Sequence, residues 1–389
     1  MAKKNVYDDI EKSLDIQAFV DSVKEGFSSV EDPRVSDNQT YPLVTLTIMI
    51  LSASIAGANS ISEIHQYSER KIEMFRRLLG ITKAPCYKCF WWVLTLMKPE
   101  PFQKAFFQWV NSVSKEICER LIAIDGKHLR GLLGDLQIHL VSAWECNQGL
   151  LLGQVKANEK SNEITAIPEL LDIIDVQGAM VTIDAAGCQT EIAQKIRDGR
   201  GDYMLALKGN QGTLHAEAEN YFSQARAADF EEDTKCLVTT TCEKGHGRIE
   251  EREIVVVTNL DWLDSEQRAR WKDLASMIEI TSKREESIER RYYISSKILT
   301  PQMAGKVIRG HWSIENHLHW SLDVVFKDDM SLANTKHAGE NLAFFRRMSQ
   351  ALIKEDVGGT VGIARRRRDA MWDDTFALRI LGRLFKKKC

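Results

Sequence analysis

The chain has 389 residues, 44% of them hydrophobic and 28% charged, which excludes a disordered or fibrous protein. At roughly 100–200 residues per domain this length predicts two or three domains, with apolar sequence enough to fold without disulfides or a structural metal. The net charge of −3 excludes uniform basicity but conceals a division: residues 291–389 hold 18 Lys and Arg against 10 Asp and Glu, or +8, so the first 290 carry −11.

The opening residues, Met1 to Asn5, run into acidic sequence without an apolar signal core, and the eight cysteines are scattered. Both features predict a cytoplasmic protein with free thiols. Cys86 and Cys89 form one C-x-x-C, but no second pair follows at zinc-finger spacing, so a structural zinc is not expected. Residues 1–120 read as an all-helical N-terminal domain. Apolar residues recur at three- and four-residue spacing in Ile10 to Val23, Ser60 to Leu79 and Phe102 to Leu121, with breaks at Asp32-Pro33-Arg34 and Lys83-Ala84-Pro85. Tyr41 to Ala58 holds 18 residues without a charge, close to the minimum for a membrane span. Its four Ser and Thr, with Pro42 and Gly57 at its ends, predict a buried core helix and no membrane contact.

The pattern changes at Leu121. LIAID (121–125) is an apolar run ending on an acid, QIHLVSAWE (137–145) alternates, and LLLGQVKA (150–157) follows across a hairpin-like connection. A helix from Ser161, a plausible cap, to Leu171 leads to AMVTID (179–184), again ending on an acid. A helix over Thr190 to Arg197 precedes YMLALK (203–208). Three strands, helix, strand, helix, strand, with acids closing the first and fourth strands, is the RNase H-like order and predicts an α/β mixed-sheet core over 121–389. After a helical stretch (Leu214 to Ala228), four strand-like segments predict a β-rich insertion over about 229–298. From about 302 the chain is helical and basic, with Arg365-Arg366-Arg367-Arg368 and Lys386-Lys387-Lys388 near its end.

An ionised carboxylate is costly inside an apolar layer, so Asp125 and Asp184 belong at the rim of the sheet. Taken singly, either reads first as a turn or capping residue. If the first and fourth strands are neighbours, however, the two carboxylates lie side by side and call for a divalent cation, Mg²⁺ or Mn²⁺ rather than zinc. Glu315 is the candidate third acid. Ile314, Leu318, Leu322 and Val325 keep helical spacing, and Glu315 falls at the border of the face they bury. His311, Glu315 and His319 form one stripe, but three ligands along two turns span roughly 12 Å, too far for one zinc. Those histidines are expected to contact phosphate or to pack beside the acid. Trp312 and Trp320 read as core or interface residues, with base stacking as the alternative.

DGKHLRG (125–131), VTIDAAGCQ (181–189), LKGNQ (207–211), EKGHGRIEER (243–252), RYYISS (291–296) and GHWSIENHLHWSLDV (310–324) resemble bacterial insertion-sequence DDE transposases, closest to the H-repeat-associated group. DPR (32–34) and YPL (41–43) are similar to that group's N-terminal associated domain. The resemblance implies that Asp125, Asp184 and Glu315, separated by 59 and then 131 positions, form a catalytic, metal-binding triad. It implies two Mg²⁺ (or Mn²⁺) ions about 3.5–4 Å apart and two-metal phosphoryl transfer that cuts element ends and joins the 3′-OH to target DNA. The implied partners are double-stranded DNA and a second copy of the chain or more, in the bacterial nucleoid. Lys127, His128, Arg130, Lys208, Arg309, His311, His319, Arg365, Arg366, Arg367 and Arg368 are the expected phosphate contacts. A metal-dependent nuclease without strand transfer and an inactive DNA-binding remnant are the alternatives. The wider family has Tyr and Arg seven and four residues before its Glu and Lys seven after, where this chain has Ile308, His311 and Leu322.

Overall fold

The computed structural model describes residues 16–34, 39–113, 120–129, 138–147, 149–157, 163–228, 230, 236–245, 248–284, 287–328, 335–354 and 362–382. Among the described residues six helices come first: α1 (Ile16–Gly26), α2 (Leu43–Ile55), α3 (Ile61–Arg70), α4 (Ile72–Leu79), α5 (Tyr87–Leu96) and α6 (Pro99–Val113). The expected single helix over 60–79 is two, broken at Lys71. The charge-free segment is α2, buried on nearly every side from Leu43 to Ile55, as a helix apolar all round must be. Among the described residues no helix is long and apolar enough to cross a membrane.

Nine strands of the described residues then form one sheet: β1 (Leu121–Leu129), β2 (Ile138–Glu145), β3 (Leu150–Ala157), β4 (Met180–Ile183), β5 (Asp202–Leu207), β6 (Cys236–Gly245), β7 (Arg248–Val257), β8 (Ser276–Arg284) and β9 (Ser287–Ser295). Their order across the sheet is β3-β2-β1-β4-β5-β9-β8-β7-β6. β1, β2 and β3 pair antiparallel, whereas β1, β4 and β5 are parallel, linked through α7 (Glu163–Ile173) and α8 (Thr190–Asp198). The later four strands are no separate sheet. β9 pairs antiparallel with β5 on one side and β8 on the other, so this segment prolongs the first five strands edge to edge.

Around β1 and β4 both faces of the sheet are covered, which is why LIAI is an unbroken apolar run and MVTI is interrupted only by Thr182. One face packs on α7, α8 and α9 (Gly212–Ala227) through Ile122, Ile124, Val181 and Ile183. The opposite face meets α11 (Pro301–Ser313), which follows the short α10 (Ser265–Arg270). Ala123, Trp144 and Leu151 on that face share one core with the first helices and with the last ones, α13 (Ala338–Lys354), α14 (Ile363–Trp372) and α15 (Asp374–Leu381). Asn341 of α13 fixes this junction, donating to the carbonyls of Leu94 and Met97.

Between α11 and α12 (Trp320–Val324) the helix widens into a π turn over Ile314–His319, and the Trp320 amide reaches back five residues to the Glu315 carbonyl. Such bulges re-aim side chains and concentrate at functional sites. Ile314, Leu318 and Leu322 are fully buried, as their spacing predicts, and Phe326 continues the stripe.

Candidate active site

The paired register of β1 and β4 ends at Ile124 opposite Ile183, so Asp125 and Asp184 are the next residues of two adjacent parallel strands. With Ile124 and Ile183 turned toward α7 and α8, strand alternation turns both acids toward α11 and the π turn. Two close approaches bring the helix there. A Cβ on Gly310 would meet the end of the Leu121 side chain, which marks how closely α11 approaches β1 there. One residue on, His311 Nδ1 sits 3.1 Å from Thr182 Oγ1, two positions before Asp184. Glu315, exposed, lines with Asp184, Lys208, Arg291, His311 and Trp312 a cleft of about 200 Å³ at the rim of the sheet.

Asp125 feels the charges of the other two acids. Burial, then the charges of Asp184 and Glu315, push the Asp125 carboxyl up to about 7, against a hydrogen bond from the Gly126 amide. Asp184 keeps a local duty as well: its Oδ1 accepts from the Ala186 and Gly187 amides at 3.1 and 3.3 Å. The turn after it is held from outside, because Asn210 donates to the Ala185 carbonyl and Gln211 to that of Cys188. The LKGNQ segment thus braces the Asp184 loop.

A fourth carboxylate was not foreseen. Glu163 opens α7 and leans over Gly126, where any Cβ would strike its carboxylate. Its Oε1 lies 3.0 Å from His139 Nε2, and burial and Asp184 raise its affinity for a proton. The available signal was Gly126 itself, a residue without a side chain directly after a candidate catalytic acid.

Several expected phosphate contacts are engaged elsewhere. Lys127 is buried and ion-paired to Asp323 of α12. His319 Nδ1 lies 3.4 Å from Asp125 Oδ2, and burial, with the charges of Lys127 and Arg347, lowers it to about 3, so it is neutral at pH 7. Burial likewise lowers His311. Arg366 and Arg367 are buried and donate to the carbonyls of Ile353 (Arg366) and of Val325 and Ser54 (Arg367). The four-arginine run is therefore divided by helical geometry: Arg366, Arg367 and Ala370 face the core, while Arg365 and Arg368 face solvent. Lys208, Arg309 and His128 are exposed, the last stacked on His139 at 3.9 Å between ring centres. Arg130 and Lys386 to Lys388 lie outside the described residues. Trp312 and Trp320 are exposed rather than core, and the Arg291 guanidinium covers the Trp312 ring at 4.9 Å. Ile308 and Leu322 are buried apolar residues of α11 and α12.

Residues 116–349 match the family model described as the transposase DDE domain, a span that contains Asp125, Asp184 and Glu315. The chain belongs to the DDE transposase family. Ahead of the transposase domain, residues 24–110 match the DDE_Tnp_1-associated model. The chain is similar to "Putative transposase YncI" of Escherichia coli O157:H7, with 34% identity over 91% of this chain and 92% of that one. It is also similar to "H repeat-associated putative transposase YhhI" of Escherichia coli strain K12, with 32% identity over 92% and 97%. This membership gives the converging acids their context. Among the described residues no three His, Cys, Asp or Glu side chains are gathered tightly enough to hold an ion as they stand. The donor set nonetheless suits a hard divalent cation: carboxylate oxygens throughout, on a rim whose negative field already impedes ionisation of Asp125.

Proposed function

We propose that this DDE transposase cuts the ends of its insertion sequence and joins the freed 3′-OH to target DNA, with Asp125, Asp184 and Glu315 as the catalytic, metal-holding residues of an RNase H-like core. The observation that carries this reading is the approach of the three carboxylates at one buried rim, where burial first and then the charges of Asp184 and Glu315 push Asp125 up to about 7. The strand order β3-β2-β1-β4-β5, with β2 alone running opposite to the other four, supports the RNase H-like assignment.

When bound, two Mg²⁺ or Mn²⁺ ions supply Lewis-acid activation of the attacking hydroxyl and charge stabilisation at the scissile phosphate. The protein's own part is positioning and electrostatics. Asp125 and Asp184 present their carboxylates from adjoining strand ends, one steadied by the neutral His319 ring and the other by the Ala186 and Gly187 amides. Glu315, on a wide and exposed helical turn, completes the set from across the cleft. Lys208 stands in the same cleft, positioned to meet the phosphate backbone. Beyond it, a trough of about 580 Å³ lined by Arg252, Arg291, Arg309 and Trp312 runs between α11 and the added strands and offers the duplex a basic path. His128, Arg365 and Arg368 are further exposed groups for phosphate contact.

The test is a strand-joining assay with a pre-cut element end, target DNA and Mg²⁺. Joined products that vanish without divalent metal are expected. Cleavage without joining would replace the reading by a metal-dependent nuclease, and metal-independent DNA binding with neither reaction would replace it by a DNA-binding remnant.

A further inference from the structure

The C-x-x-C at the start of α5 belongs to no part of the chemistry above. Cys86 is the N-cap residue of α5 and Cys89 lies in its first turn, with the Cys89 amide bonded to the Cys86 carbonyl at 2.9 Å. That turn brings the two sulfurs to 3.5 Å, with Cys86 exposed and Cys89 half-buried. We propose that Cys86 and Cys89 form a redox-active dithiol that low-molecular-weight disulfides oxidise reversibly to an intramolecular disulfide, Cys86 attacking and Cys89 resolving.

Three features support this assignment. The sulfurs already face each other at 3.5 Å, so only a small approach separates them from the about 2.05 Å of a disulfide bond. The two thiols are also unequal. Burial pushes the Cys86 thiol up, but hydrogen bonds from the Cys89 and Lys88 amides and from the Cys89 thiol outweigh it, leaving Cys86 below the usual thiol value. Burial and the Cys86 sulfur hold Cys89 above it. An accessible sulfur with thiolate character beside a shielded partner is the arrangement of attacking and resolving thiols. Finally, a bridge closing so short a loop restricts the unfolded chain little, so its use is chemical rather than structural. Zinc is the poorer occupant, since among the described residues no third His, Cys, Asp or Glu joins the two sulfurs.

The step balances with a disulfide such as oxidised glutathione as the oxidant. The Cys86 thiolate attacks one sulfur of the oxidant and expels a glutathione thiolate. Cys89, losing its proton to solvent, attacks the Cys86 sulfur of that mixed disulfide and expels the second. One Cys86–Cys89 bond forms, the protein loses two electrons, and one disulfide becomes two thiols.

The full chain is equilibrated in glutathione buffers of increasing oxidised fraction, trapped by alkylation and mapped by mass spectrometry. Cys86 and Cys89 should lose reactivity together, as one linked peptide that dithiothreitol reverses. In the reduced protein Cys86 should be alkylated several-fold faster than Cys242, the other exposed thiol among the described residues. In Cys89→Ser, Cys86 should stop at the mixed disulfide with glutathione. A wild-type protein that accumulates only that mixed disulfide, or whose two thiols stay reactive throughout, overturns the proposal. So does one stoichiometric Zn²⁺ that withstands dialysis and shields both thiols.

Discussion

Two groups of charges lie under α11 to α13 and behave in opposite ways. Asp328 is fully buried, and its two oxygens are matched by Arg346 at 2.8 Å and Arg347 at 3.1 Å, themselves buried. Further donors of the two arginines go to the carbonyls of Asn59 and Ala343. At the rim of the sheet, by contrast, Asp125 faces Asp184, Glu315 and Glu163, and burial and like charge raise it to about 7. Opposite charges brought together inside a protein hold helices in place. Like charges brought together are a liability to the fold and point to a ligand that relieves them.

Substitution at either group tests that contrast. The largest expected effect is on the matched set: Asp328→Ala leaves two buried guanidinium groups without their carboxylate and should cost about 3–5 kcal/mol in urea unfolding. Asp125→Asn should act in the opposite sense on metal-free protein. The folded state holds the Asp125 proton more tightly than the unfolded chain, so stability from this group falls as pH rises from the usual carboxylate range to about 7 and stays low above it. The variant should therefore melt higher than wild type above pH 7, and the difference should vanish in acid. A wild-type advantage at pH 8 would contradict the like-charge account.

Added Mg²⁺ should then stabilise wild type by about 2.7 kcal/mol at a hundred times its dissociation constant, raising its melting point, and leave Asp125→Asn nearly unmoved. The smallest effects separate neighbours in the arginine run. Arg366→Ala, which strips a buried donor from the Ile353 carbonyl, should cost about 1–3 kcal/mol. Arg365→Ala should stay within about 0.5 kcal/mol and instead weaken DNA binding at low salt. Equal losses of stability in the two would break the division of that helix into an inner and an outer face.

The sequence made the aspartates legible because an apolar strand that stops on an acid can put it only at a rim, and the strand order made them neighbours. The stripe Ile314, Leu318, Leu322 likewise announced the buried face beside Glu315. What escaped depends on three-dimensional contact. No periodicity reveals the π turn, and Glu163 reaches Asp125 only after two strands intervene. The arginine run misled because four adjacent charges resemble a solvated face. The helical period that buries Arg366 with Arg367 and Ala370 was nevertheless present in the pattern.

If the three carboxylates act as one metal-dependent site, none of them is dispensable. The measurement that decides this is Mg²⁺-dependent cleavage of element-end DNA by Asp125→Asn, Asp184→Asn and Glu315→Gln, with DNA affinity measured in parallel. Each variant should lose cleavage while binding the DNA as wild type does. Undiminished cleavage by any one of the three would contradict it.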